Sequence, residues 1–310
     1  MVGRRSRMGA AIVATLGSVF ASVVFASIVF ASIDVLHAQQ AVPAASTSDS
    51  PLRADVYRPV APAPPAASRH PLAWVAKYLR EEQAYLQQNV RDFTCRLTKR
   101  ERIDGRLQDY YYINMHVREE VYSGTRVVRP LSVLLEFLSP SEIAGRKVLF
   151  VTGQNDNKML VRKGGKRFGF LVVDLDPLGP SAQQESLIPV TEMGFQHHLG
   201  RTLRVLEHDM VVDQSGENTK VKHIQGASIN GRSCQVIRIT HPQRREGLQF
   251  FQANMYVDSQ LHVPVRTDAY GWPEQADQEP PLLAEYTYTN LKLNVNLSDA
   301  LFEPSILRDH

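Results

Sequence analysis

The sequence predicts a mainly β (α+β) domain, in which a long antiparallel sheet curls and two amphipathic helices cover its concave face. Beyond residue 92 the chain alternates apolar and polar residues with period two, broken by turn signals such as Asp104-Gly105 and Asn230-Gly231. Two stretches switch instead to the three-or-four-residue apolar spacing of a helix face. A meander of about ten strands cannot stay flat, because the right-handed twist of each strand accumulates across the sheet.

Pro71 suits a first helical position, and Leu72, Val75, Leu79, Leu86 and Val90 then share one stripe, with Trp74, Tyr78 and Tyr85 beside it. This spacing predicts a helix over residues 71–92. Strands follow through Cys95, then through Tyr111, Ile113, Met115 and Val117, then through Val133, Leu135 and Phe137. Val148 to Thr152 and Lys158 to Arg162 flank the polar turn of residues 153–157, and Phe168 to Leu175 is a further strand ended by Asp176-Pro177. After Pro189 and Thr191, the residues Phe195, Leu199, Leu203, Leu206 and Met210 mark a second helix. Strands resume at 220–225, 234–240, 249–257, 263–269 and 283–293.

The start of the chain has a different logic. Arg4, Arg5 and Arg7 precede an uncharged run from Met8 to Ile33, which reads as an export signal rather than as core. Such a run would make a helix of roughly 39 Å, long enough to span a bilayer, so it serves either as a cleaved signal ending at Ala38 or as a retained inner-membrane anchor through residues 8–33. Residues 39–70, rich in Ala, Pro and Ser, read as a disordered linker. Residues 71–305 then make one domain, followed by a tail at 306–310. The expected location is periplasmic.

Loss of residues 1–38 removes three of the 35 basic residues and one of the 32 acidic ones, leaving a net charge of +1. That balance gives no electrostatic case for nucleic acid. The basic clusters Lys99-Arg100-Glu101-Arg102 and Arg162 to Arg167 read as solvated strand edges that discourage aggregation. Cys95 and Cys234 are the only cysteines, and in an oxidising compartment their even number suggests one disulfide; two buried thiols are the alternative.

No His-Glu-x-x-His, Cys-x-x-Cys or Gly-x-Ser-x-Gly occurs, and Gly164-Gly165-Lys166 lacks the partners of a phosphate loop. His197 and His198 are adjacent, so on a helix they point about 100° apart and make a poor metal pair. Glu101, Glu119, Glu120 and Asp174 read as scattered strand-edge carboxylates. The expectation is therefore a non-enzyme with no catalytic residues, no metal and no cofactor.

The run Phe93-Thr94-Cys95-Arg96-Leu97 to Asp104-Gly105, then Leu138-Ser139-Pro140, Gly145-Arg146, Asp176-Pro177 and Glu192-Met193-Gly194, resembles an uncharacterised exported family abundant in planctomycete bacteria. Gly231-Arg232-Ser233-Cys234, Tyr256-Val257-Asp258, Val263-Pro264-Val265-Arg266 and Glu285-Tyr286-Thr287-Tyr288 extend the likeness over about residues 75–305. That family is similar in turn to the superfamily of periplasmic lipoprotein carriers of the LolA and LolB type and to a related envelope-stress sensor domain. The resemblance implies an incomplete antiparallel half-barrel whose concave apolar face, closed by helices, receives an acyl chain.

A 16-carbon chain carries on the order of 10 kcal/mol of gross hydrophobic free energy, which a membrane offers equally. A carrier therefore needs an apolar hollow and a movable cover rather than strong contacts. Met115, Leu135, Phe137 and Phe150 on strands, opposed by Phe195, Leu199 and Leu203 on the second helix, are the expected lining, with Gly194 and Gly200 letting that helix shift. The function expected is non-catalytic binding of the acyl chain of a lipoprotein or lipid, for transport or sensing, by a monomer. The alternative is a membrane-tethered interaction module whose partners are envelope membrane proteins.

Overall fold

The computed structural model describes residues 70–165, 169–275 and 277–308. The expected signal segment, and the linker apart from His70, lie outside the described residues. Among those described, no helix is long and apolar enough to cross a membrane.

The first helix, α1 (Ala73–Asn89), buries Trp74, Val75, Tyr78, Leu79 and Leu86, the stripe its spacing predicts. It leads into a run of strands: β1 (Asp92–Ile103), β2 (Arg106–Leu107), β3 (Tyr111–Arg118), β4 (Val121–Ser123), β5 (Arg126–Arg129), β6 (Ser132–Ser139), β7 (Lys147–Val151), β8 (Met159–Arg162) and β9 (Val172–Leu175). A short α2 (Pro180–Gln183) and the long α3 (Phe195–Val212) interrupt the series. It then resumes with β10 (Lys220–Ile229), β11 (Arg232–Thr240), β12 (Gln252–Asp258), β13 (Pro264–Tyr270) and β14 (Leu282–Leu293).

Twelve strands form one curved antiparallel sheet in the order β10-β11-β12-β13-β14-β1-β3-β6-β7-β8-β9, with β2 paired to β1. It does not close into a barrel: β9 and β10 are its two edges. The fold is thus mainly β with few helices, as the alternation predicts. The β4 and β5 strands stand apart as a two-stranded ribbon, which the sequence reading does not anticipate.

One apolar core fills the concave face. Phe93 and Leu97 of β1, Ile113, Met115 and Val117 of β3, and Leu135 and Phe137 of β6 pack with Leu79 and Leu86 of α1 and with Phe195, Leu199 and Leu206 of α3. Phe93 stacks on Phe195 at 4.3 Å between ring centres, and Tyr288 meets Phe195 edge-on at 5.5 Å. Alternation sends Leu134 and Leu149 to the opposite face, where Phe302 and Leu307 of two C-terminal 3-10 turns cover them. Packing therefore continues past residue 305.

Two expectations are corrected here. Cys95 and Cys234 form no disulfide; both are buried free thiols. Cys95 lies on β1 and Cys234 on β11, with β12, β13 and β14 between them. Four strand spacings amount to roughly 19 Å along the sheet, far beyond the span of a disulfide. The second correction concerns β1, a central strand rather than a solvated edge. Its burial alternates without a break, so Lys99 and Glu101 continue the inward row of Phe93, Cys95 and Leu97 while Arg100 and Arg102 face outward.

Candidate functional site

The segment from Asp176 to Gly194, linking β9 to α3, crosses the concave side as a strap. Its apolar residues Ile188, Val190 and Met193 are buried in the same core as Phe137 and Phe150, with Leu187 packed beside them. Its backbone N–H groups bond mainly within the strap, as in Gly179 to Asp176 at 3.0 Å and Glu192 to Pro189 at 2.9 Å. What fastens it to the sheet is side-chain chemistry from the inward pair on β1. Lys99 Nζ donates to Glu101 Oε2 at 2.7 Å, to Ser186 Oγ at 2.9 Å and to Glu185 O at 3.4 Å. Glu101 Oε1 accepts from Tyr286 Oη at 2.5 Å and from Leu187 N–H at 3.2 Å. Arg146 pairs with Glu185 from the outside. Lys99 and Glu101 thus tie Glu185, Ser186 and Leu187 of the strap to β1.

The other end of the concave face carries a cleft of about 480 Å³. It is lined by Glu120, Phe150, Thr152, Asp156, Asn157, Lys158, Asp176, Pro177, Leu178, Thr191 and His197. Three elements bring these together. The register pairs Arg118 with Ser132 and Ser132 with Val151, so the residues after β3, the β7–β8 turn and the start of the strap share one end of the sheet. The N-terminus of α3 closes the site with His197.

That helix end is held by Glu119, whose Oε1 accepts the Phe195 N–H at 2.6 Å. Burial pushes the Glu119 carboxyl up to about 7. A Cβ at Gly194 would stand 2.5 Å from Glu119 Oε2, and one at Gly200 would stand 3.1 Å from Gln83 Nε2 of α1. These glycines therefore allow close approach of a carboxylate and of a neighbouring helix. Glu120, also buried, accepts from Tyr122 Oη at 2.5 Å and faces His197 Nε2 at 3.7 Å. Burial lowers both His197 and the adjacent, fully enclosed His198, the latter to about 4.

Of the residues expected to line a hollow, Phe150 borders this cleft. Met115, Leu135, Phe137, Phe195, Leu199 and Leu203 are buried together in the one apolar core that also contains residues of α1 and the strap. His197 enters the cleft while His198 turns into the protein, as a 100° step per residue requires. Sequence reasoning missed Lys99, Glu101 and the cleft-lining Asp156, Lys158 and Asp176. An inward charged pair two residues apart on a strand was the available signal for the first two.

A second polar network lies between the far end of α3 and β11. His241 Nε2 meets Asp209 Oδ2 at 3.2 Å, and its Nδ1 meets Thr219 Oγ1 at 3.3 Å. Thr219 Oγ1 donates onward to Asp213 Oδ2 at 2.7 Å. The order mimics a hydrolytic relay, yet Asp209, Asp213 and His241 are wholly enclosed and Thr219 nearly so. The network pins α3 to the sheet. Among the described residues no group of three or more His, Cys, Asp or Glu side chains could hold a metal ion.

A family described as "Protein of unknown function (DUF1571)" matches residues 90–306. The chain belongs to that family. No curated protein matches it. Among solved structures, the DUF1571 chain is similar to a putative outer membrane lipoprotein-sorting protein domain from Vibrio parahaemolyticus, at 11% identity and TM-score 0.36, covering 74% of this chain and 97% of that one. It is also similar to a LolA superfamily protein from Nitrosomonas europaea, at 11% identity and TM-score 0.31, covering 74% and 98%. The MucA/MucB complex of Pseudomonas aeruginosa gives 14% identity and TM-score 0.42, covering 75% of this chain and 62% of that one. Superpositions this loose carry no residue roles across.

Proposed function

We propose that this protein is an exported envelope component that binds the acyl part of a lipid or lipoprotein without covalent chemistry, and that the cleft beside the start of α3 is where it binds. The observation that carries this reading is the cleft itself. Its volume of about 480 Å³ is that of a small-ligand site, and it joins an apolar floor of Phe150, Pro177 and exposed Leu178 to a polar mouth containing Asp156, Lys158 and Asp176. An amphiphile fits such a division: the chain lies against the floor and its headgroup meets the mouth. The concave core beneath the strap is already packed by the protein's own side chains, so a longer chain would enter by displacing Leu187, Ile188 and Met193 from it.

The test is native mass spectrometry of protein purified from its own envelope, together with uptake of a fluorescent fatty acid. Leu178→Asp and Thr152→Trp change the cleft at side chains outside the closed core. Each is expected to lower uptake about tenfold while leaving the melting temperature within a few degrees. Absence of co-purifying lipid, with uptake unchanged in both variants, would remove the cleft from the account.

A further inference from the structure

The β4–β5 ribbon has no role in the core or in the cleft's lining. Every side chain from Tyr122 to Val128 is exposed, including Tyr122 at 54%, Val127 at 40% and Val128 at 54%. Tyr122 and Val127 are cross-strand partners, and the two strands pair only with each other. None of these apolar side chains packs against either apolar core. An isolated two-stranded ribbon is marginal in water, so apolar residues on this one gain nothing from the folded chain around them.

The ribbon's own charges share one sign. Residues 121–129 contain Arg126 and Arg129 and no carboxylate. Arg129 Nη2 donates to the backbone oxygen of Arg91 at 2.9 Å, which places the exposed Arg91 at the ribbon's base. Burial lowers the pKa of Arg129 most; Arg118 and Arg91 add to that, while Asp92 and Glu119 oppose it. The acidic groups at this base, Asp92, Glu119 and Glu120, are buried, and each accepts a hydrogen bond from another group, which leaves the exposed Arg91 and Arg126 as the cations facing solvent.

We infer that the β4–β5 ribbon is a docking element for an anionic lipid surface, its Tyr122, Val127 and Val128 entering the interfacial layer while Arg91, Arg126 and Arg129 meet lipid phosphates. A protein groove would cover one face of a ribbon, whereas exposure along the whole stretch 122–128 suits a medium that surrounds the tip. Tyr122, apolar in its ring and polar at its hydroxyl, is suited to that layer. The Tyr122–Glu120 hydrogen bond ties the ribbon to the cleft wall, so docking would set the cleft mouth at the membrane. The inference holds whether or not the cleft takes a lipid.

The test is co-sedimentation of the full chain with phosphatidylglycerol-containing vesicles and with pure phosphatidylcholine vesicles, at low and high salt. Whatever residues 8–33 contribute is common to all chains compared. The inference predicts preference for the anionic vesicles, weakened by salt. Arg126→Ala should lower partitioning about fivefold, and Val127→Ser with Val128→Ser at least tenfold. A second measurement reads insertion locally: the indole introduced by Val128→Trp should be quenched by brominated lipid. Equal partitioning of substituted and unsubstituted chains, or an indole that brominated lipid does not quench, would overturn the inference.

Discussion

Burial shifts Glu119 upward and His198 downward, so the two affect stability in opposite senses as pH changes. Burial raises the Glu119 carboxyl from its ordinary value of 4.5 to about 7 in the folded chain. Its contribution to stability is therefore complete below about pH 4.5 and is lost as pH rises toward 7, a change of roughly 3 kcal/mol. His198 is lowered from 6.5 to about 4 by burial, so its contribution is complete above pH 6.5 and is lost as pH falls. Glu119→Gln keeps an oxygen for the Phe195 N–H and removes the charge. The stability of this variant relative to the parent, measured by denaturant unfolding, should rise between pH 4.5 and 7 and level off above. A flat difference across that window would show that Glu119 is not the group described.

Lys99 and Glu101 test how the strap is fastened. Their side chains are 5% and 3% exposed, so removing one partner strands the other as a buried charge. Lys99→Met or Glu101→Leu alone should cost about 3–5 kcal/mol by chemical denaturation, and the double substitution clearly less than the sum. Additive losses would mean that the two charges act apart. Gly194→Ala belongs with these: its new methyl would collide with Glu119 and should cost about 1–3 kcal/mol.

Among the elements, those whose burial follows a regular period were legible. The stripe of α1, the stripe of α3 and the alternation of β1 and β3 each present one face to the core, and a periodic pattern records that. The ribbon of β4 and β5 was not legible because its apolar residues are exposed, so their pattern answers to no core. The strap was missed for a different reason: Ile188, Val190 and Met193 are buried along an irregular path, which leaves no period to find. The charged pair on β1 was hidden by its composition, since Lys-Arg-Glu-Arg reads as a solvated surface until the strand's central place is known. Phe150 borders the cleft and the other six expected lining residues are buried in the core; an apolar pattern alone does not separate the two positions, because packed core and ligand cavity share it.

For the whole molecule, strand order decides what local pattern could not. The even number of cysteines suggested a bridge, but parity carries no information about the three strands that separate β1 from β11. The same order gathers the residues after β3, the β7–β8 turn, the strap and the start of α3 at one end of an open sheet, where the cleft lies. An open, curved sheet leaves one concave face to be filled, and here two helices and a strap fill it. The ligand site proposed above accordingly lies at the rim, where packing ends and polar groups begin.

The most direct measurement places a fluorescent label at Leu178→Cys, beside Phe150 on the cleft floor, and a control label at Ser228→Cys on the far edge strand β10, with a spin-labelled fatty acid as titrant. The account predicts saturable quenching at the cleft position and none at the control. Equal quenching at both positions, or none at either, would contradict it.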